Sequence, residues 1–310
     1  MSSNYRFRGG PFLPSSRGGF APKRSVIAAG LLPVLLLASC GDPPDPRTDD
    51  VPTRGHILIL ADEDLRDLVE AEEYMFASIY TNAQLDIRYL PEAELLKAVM
   101  NDSVRCWIGT VQPGGEQEAY YTKRSVKAHV VPIAMDGIAV VVNKERKGDY
   151  ADLETLRGYL TGVTLADTVD GKVEQWTTHV LINGNGSGIA RTLVDSLWPV
   201  PPAKLTALAD ADLPSIIEKV ASDAAFIGFL PFAAISDLDN PSMKALRDGV
   251  KLMPISRTDS SRAFLPNQST LADGSYPLRR PVYMVLCEGK SGLGTGFVSF
   301  VANHKGQRII

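Results

Sequence analysis

The chain has 310 residues, 22% of them charged, with 32 Lys and Arg against 36 Asp and Glu and a formal net charge of −4. Such a balance lacks the basic excess that a phosphate backbone demands, so nucleic acid is not an expected partner. Residues 54–310 are enough for two domains of ordinary size.

Residues 1–40 read as a processing segment. Arg6, Arg8, Arg17, Lys23 and Arg24 form a positive leader with no acid before Asp42, and Ser25 to Ala38 is an apolar run interrupted by Pro33. A membrane-crossing helix needs roughly 20 apolar residues, so this run fits a signal peptide. Leu37-Ala38-Ser39-Cys40 closes it and resembles the bacterial lipobox, which implies acylation of Cys40 and anchoring to a membrane. The alternative is a plain export signal followed by an incidental cysteine. Residues 41–54, rich in Pro and Asp, read as a solvated tether that does not pack.

The body alternates strand and helix. Ile57 to Ala61 is a short apolar strand, followed at once by Asp62-Glu63-Asp64. Leu65, Leu68, Val69, Met75, Phe76 and Ile79 then recur at helical spacing, with acids favourably placed at the positive end of the helix dipole. Leu85 to Leu90 is a strand, Pro91 opens a second helix through Met100, and Val104 to Ile108 is another strand. This order predicts parallel strands covered by helices.

Val130 to Asn143 is the organising stretch. Two apolar runs, Val130 to Ala134 and Ile138 to Val142, flank Met135-Asp136-Gly137, where glycine permits a bend. The stretch is either one strand that crosses between two lobes or a hairpin within one domain. Beyond it, Leu153 to Leu160 reads as a helix and Thr178 to Ile182 as a strand. Ile189 to Leu197 and Ile216 to Val220 read as helices, and Ala225 to Phe229 as a buried strand. Val250 to Ile255 and Pro281 to Cys287 are the last strands, before a helix over Phe297 to Val301. Their patterning predicts one lobe from residues 55–135 plus 251–310 and a second from 136–250. Cys106 and Cys287, both in apolar runs, either pair or stay as buried thiols.

The strongest local chemistry lies at Asn183-Gly184-Asn185-Gly186-Ser187-Gly188, between a strand and a helix. Glycines there let N–H groups converge at a helix start, and Ser187 adds a hydroxyl, so the turn predicts an anion site. Its spacing misses both the dinucleotide and the hydrolase patterns. His56, His129, His179 and His304 are isolated, so no metal site is expected. Gly292 to Gly296 also looks like a phosphate loop, but no strand leads directly into it and a structural turn is preferred.

Several segments together resemble the phosphate-binding proteins of bacterial phosphate ABC importers. They are Leu58 to Phe76, Asn101 to Arg105, Ile133 to Asn143, Leu156 to Gly162 with Trp176, Gly186-Ser187-Gly188, Ala225 to Phe229 and Tyr276 to Tyr283. The resemblance implies an α/β, two-lobed periplasmic-binding-protein type II fold, each lobe a mainly parallel sheet flanked by helices. It also implies phosphate or a similar oxyanion as ligand, an ABC permease in the inner membrane as partner, no cofactor and no enzymatic activity. The implied ligand residues are Ser187, Gly188 and Ile189 as principal donors, with Gly186, Asn185, Asp136, Thr110, Glu63 and Asp64 around them.

The chain departs from the family at several of these positions. Asp62-Glu63-Asp64 stand where Ser or Thr is expected, and Ile189 replaces a Thr. Asn183 and Asn185 replace an Arg and an Asp, and Gly109-Thr110 fall where another Arg belongs. Weaker oxyanion binding is therefore expected. The alternative function is a ligand-free envelope interaction or sensing module on the same fold. Inward donors with the carboxylates turned out would favour binding.

Overall fold

The computed structural model describes residues 50–162, 165–169, 172–176, 178–184, 186–199, 201, 204–210 and 212–310. The expected signal peptide, Cys40, most of the tether and Asn185 lie outside these residues.

The chain runs β1 (Gly55–Asp62), α1 (Arg66–Ile79), β2 (Ala83–Leu90), α2 (Glu92–Ala98), β3 (Val104–Gly109), α3 (Glu116–Lys123) and β4 (His129–Val142). It continues with β5 (Ala151–Asp152), α4 (Leu153–Leu160), β6 (Leu165–Val169), β7 (Lys172–Trp176), β8 (His179–Asn183), α5 (Gly188–Arg191) and β9 (Leu208–Asp210). α6 (Leu213–Ser222), β10 (Phe226–Pro231), α7 (Pro241–Gly249), β11 (Lys251–Leu252), β12 (Ile255–Ser256), α8 (Gln268–Ala272), β13 (Arg279–Leu286) and α9 (Leu293–Ala302) complete it.

One continuous sheet runs β2-β1-β3-β13-β4-β10-β8-β9. β1 is parallel to β2 and β3, and β8 is parallel to β9 and β10. β4 is the shared strand. Residues 129–137 pair antiparallel with β13, and residues 138–142 pair antiparallel with β10. The hairpin reading of this stretch is therefore replaced by a single 14-residue strand.

The crossing at Gly137 is tied from several sides. Phe232 N–H donates to the Gly137 carbonyl at 2.7 Å, Ile138 N–H to the Leu278 carbonyl at 2.8 Å, and the buried Tyr276 hydroxyl to the Ile138 carbonyl at 2.6 Å. A Cβ on Gly137 would lie 2.9 Å from Leu271 Cδ2, and its φ is not left-handed. Close packing against Leu271, rather than backbone angle, is thus what favours glycine there.

The buried side chains separate along β4. Ile57, Ile59, Val69, Phe76, Ile108, Ile133, Val282 and Phe297 belong to one core, and Leu60, Leu95, Trp107, Tyr121 and Val285 pack on the opposite face of the same strands. Ile138 to Val142, Leu181, Ile189, Ile216, Phe229, Met253, Ile255, Leu271 and Tyr276 form the core of the second lobe. The segment after residue 250 therefore packs with the second lobe. β11 pairs with the second half of β4, and β12 with β5. The chain rejoins the first core at β13, later than the patterning around residue 251 suggests, because two-residue strands carry too little pattern to place a boundary.

One open alternative is settled and one further expectation changes. Cys106 and Cys287 are free and buried. Cys106 sits opposite Leu286, so the next residue turns to the other face of the sheet and joins the other core. The end of the tether also packs. Asp50 accepts the Leu293 N–H at 2.9 Å and a bond from Arg105 at 2.5 Å, while a Cβ on Gly296 would fall 1.7 Å from the Pro52 carbonyl oxygen.

Candidate functional site

The glycine-rich turn between β8 and α5 makes the tight approach that its sequence predicts. Gly184 and Gly186 take φ of 59° and 81°, in the left-handed region open to glycine. Ser187 then caps α5, its hydroxyl oxygen accepting the Ala190 N–H at 3.2 Å. Gly188 has no room for a side chain. An added Cβ would lie 2.8 Å from Arg280 Nη1, 2.8 Å from Asp62 Oδ2 and 3.0 Å from Glu92 Oε2. The groups crowding the turn are therefore charged side chains from β1, α2 and β13.

Of the expected donors, the Ile189 N–H and the Thr110 hydroxyl bond to the protein's own carboxylates, whereas the Ser187 hydroxyl serves its own helix cap. Asp64 Oδ2 accepts the Ile189 N–H at 3.3 Å and Arg280 Nη1 at 3.2 Å, while Asp64 Oδ1 accepts Asn183 Nδ2 at 2.9 Å. Glu92 Oε2 accepts the Thr110 hydroxyl at 2.5 Å and Arg191 Nη2 at 3.3 Å, and Glu92 Oε1 accepts Arg191 Nε. Arg280 Nε also donates to Asp136 Oδ2 at 2.9 Å. Asp62 turns back as the cap of its own 3-10 turn, accepting the Asp64 N–H at 3.2 Å. Asp62, Asp64, Glu92, Asp136 and Arg280 are all buried, and Arg191 is three-quarters covered.

This is a different arrangement from carboxylates facing solvent as simple helix caps. Asp64 points into the cleft, Glu63 is half-buried beside Gly184, and Gly186 accepts the Ala93 N–H at 3.0 Å through its carbonyl. Two guanidiniums, those of Arg280 and Arg191, reach the turn from elsewhere in the chain. Sequence reasoning did not single out either of them, nor Glu92. The local signals were weak: Arg280 beside Arg279 at the head of an apolar strand, and Glu92 directly behind Pro91.

The electrostatics follow from burial. Desolvation raises Asp62 well above the ordinary carboxylate range, reinforced by Asp64 and Glu92 and opposed by Arg280. Burial also raises Asp136, against the pull of Arg280. Desolvation alone would lower the Arg280 pKa, but Asp136, Asp64 and Asp62 outweigh it and hold the guanidinium charged. Four carboxylates thus surround two guanidiniums, and burial favours the protonated form of Asp62. A further anion 4 Å from one of these carboxylates would be repelled by about 4 kcal/mol at an effective dielectric near 20.

Two other features do not include the expected donors, although the first meets the cluster at Asp136. A cavity of about 970 Å³ beside the crossing is lined by Leu68, Ile133, Asp136, Phe232 and Leu271, but by none of Thr110, Ser187, Gly188 or Ile189. At Gly292 to Gly296, the second glycine-rich helix start, Glu288 accepts the N–H groups of Gly292, Gly294 and Thr295 and the Thr295 hydroxyl. That loop is a self-capped turn.

Comparisons with known proteins agree with the architecture. The PBP superfamily domain matches residues 51–305. The phosphate-binding protein PstS 2 of Streptococcus pneumoniae is 29% identical over 143 residues, covering 43% of this chain and 43% of that protein. Among solved structures, a Clostridium perfringens protein assigned as a phosphate ABC transporter substrate-binding protein, with bound phosphate, superposes with a TM-score of 0.65. It is 18% identical, over 83% of this chain and 96% of that one. An ABC-type phosphate transport receptor from Vibrio cholerae gives 0.61 at 16% identity, over 82% and 96%. The sulfate-bound OxyR2 regulatory domain of Vibrio vulnificus gives 0.53 at 12% identity, over 84% and 99%, so the fold serves more than one task. Substrate-binding proteins of ABC importers work on the periplasmic or extracytoplasmic side of the membrane and are not enzymes. With its two lobes joined through β4, the chain belongs to the PBP superfamily.

Proposed function

We propose that the protein is the solute-binding component of an ABC importer for phosphate or a related oxyanion, held at a membrane through lipid on Cys40. One observation supports the anion site above all. Donors from both sides of the cleft converge on anionic oxygens at the glycine-rich turn: the Ile189 N–H, Asn183 and Arg191 from the second lobe, with Thr110 from the first and Arg280 at their boundary. Such a convergence closes two lobes on one negative group. Phosphate or its analogues would take the positions that Asp64 and Glu92 now fill. Calorimetric titration with phosphate, sulfate and arsenate tests the reading. At about 100 times the dissociation constant, folding gains roughly 2.7 kcal/mol, visible as a raised melting temperature. No shift with any of them at millimolar concentration overturns it. Cys40→Ala tests the anchor: the variant should leave the membrane fraction, and unchanged fractionation would refute lipidation.

A second reading has its own observation. Asp64 and Glu92 already satisfy those donors from within the chain, as a protein without a solute would require. On that reading the closed body is an envelope interaction or sensing module.

A further inference from the structure

The two oxygens of Asp64 and the two of Glu92 are each engaged by donors, and most of those donors lie across the cleft. Arg191 grips Glu92 in the forked geometry that guanidinium also uses for phosphate. The backbone is fitted to these side chains as well, since Gly188 leaves no space beside Asp62, Glu92 and Arg280. A second, independent feature shows unused capacity. Arg280 Nη2 is buried with no hydrogen-bond partner, although Arg280 is only 2% exposed. Asp62 Oδ2 is likewise buried and unpartnered.

We propose that Asp64 and Glu92 are built-in competitors for the oxyanion site: they latch the lobes shut without solute, and an oxyanion enters only as they leave. This rests on the oxyanion reading of the same cleft. The groups that face the pair are Asp62 and Glu63 from the end of β1, Thr110 from β3, Asp136 from β4, Arg191 from α5 and Arg280 from β13. Carboxylates exceed cations among them, so a solute anion cannot simply be added to the latch. It replaces one carboxylate or both. Specificity then follows from the latch: only an anion that recruits Arg280 Nη2 as well as the present donors gains over the internal carboxylates.

The test uses the full-length protein in detergent with inorganic phosphate, comparing wild type, Glu92→Gln, Asp64→Asn and the double variant. Small-angle scattering follows lobe closure, calorimetry follows binding, and circular dichroism checks that each variant is folded. Wild type should scatter as the closed form in phosphate-free buffer. Each single variant should open without phosphate, close when it is added, and bind it about tenfold or more tightly than wild type, as expected for trading a charge-assisted latch for a neutral one. Wild type that is open without phosphate, or folded single variants that bind no better, would overturn the proposal. If wild type binds phosphate and the variants gain nothing, the importer reading stands and the latch falls. If wild type fails to bind while the variants do, the latch stands and delivery of phosphate by the natural protein falls.

Discussion

Arg280→Leu is the sharpest probe of the cleft, because the guanidinium is buried and bonded at once to Asp136 at 2.9 Å and to Asp64 at 3.2 Å. Removing it leaves two carboxylates buried without their cation, and Asp62 loses its opposing charge as well. Breaking one buried pair typically costs about 3–5 kcal/mol, because the remaining charge stays desolvated. For a body of this size that corresponds to a fall of roughly 6–20 °C in melting temperature. Urea denaturation monitored by tryptophan fluorescence gives the free energy directly. The deficit should shrink as the pH falls towards 4, since the orphaned carboxyls then take up protons. Adding Asp136→Asn to Arg280→Leu should recover part of the loss for the same reason. A loss below about 1 kcal/mol, the level of an exposed ion pair, would refute the description of Arg280 as the neutralising centre of the cleft.

Two further outcomes test other parts of the molecule. Glu72 is 2% exposed with no hydrogen-bond partner, and burial raises its pKa from the ordinary 4.5 to about 7. A raised folded-state pKa means that its stability contribution is complete below 4.5 and lost as the pH rises through 7. The melting-temperature advantage of Glu72→Gln should therefore grow from pH 5 to pH 8, and an advantage independent of pH would refute the assignment. In Gly296→Ala, the new carbon has to displace the Pro52 carbonyl from a 1.7 Å approach. Residues 50–53 should detach and trypsin should cut at Arg54 faster than in wild type; an unchanged cleavage rate would show that this contact does not hold the tether.

The order of strands and helices was largely legible in the sequence, because each element carries its own local signal. The apolar runs of β1, β3 and β10, the acids ahead of α1 and the glycines ahead of α5 are short-range patterns that packing did not override. The crossing was legible too, as two apolar runs around Asp136-Gly137, although only packing reveals how closely Leu271 approaches Gly137. Among the elements that escaped are α3, whose periodicity is weak, α7, which buries no residue, and the short strands β5 and β9, while the stretch read as one strand over Val250 to Ile255 forms two separate two-residue strands. What tertiary structure alone decided is the charge pattern of the cleft. Asp64 meets Asn183 across 119 positions and Arg280 across 216, and Glu92 meets Arg191 across 99. In sequence, Asp64 stands out only as an acid where the family has Ser or Thr, and Glu92 only as an acid near a helix start, both open to solvent in an extended chain. Only when the two lobes remove that solvent do these carboxylates need cations, and the fold brings Arg191 and Arg280 to them.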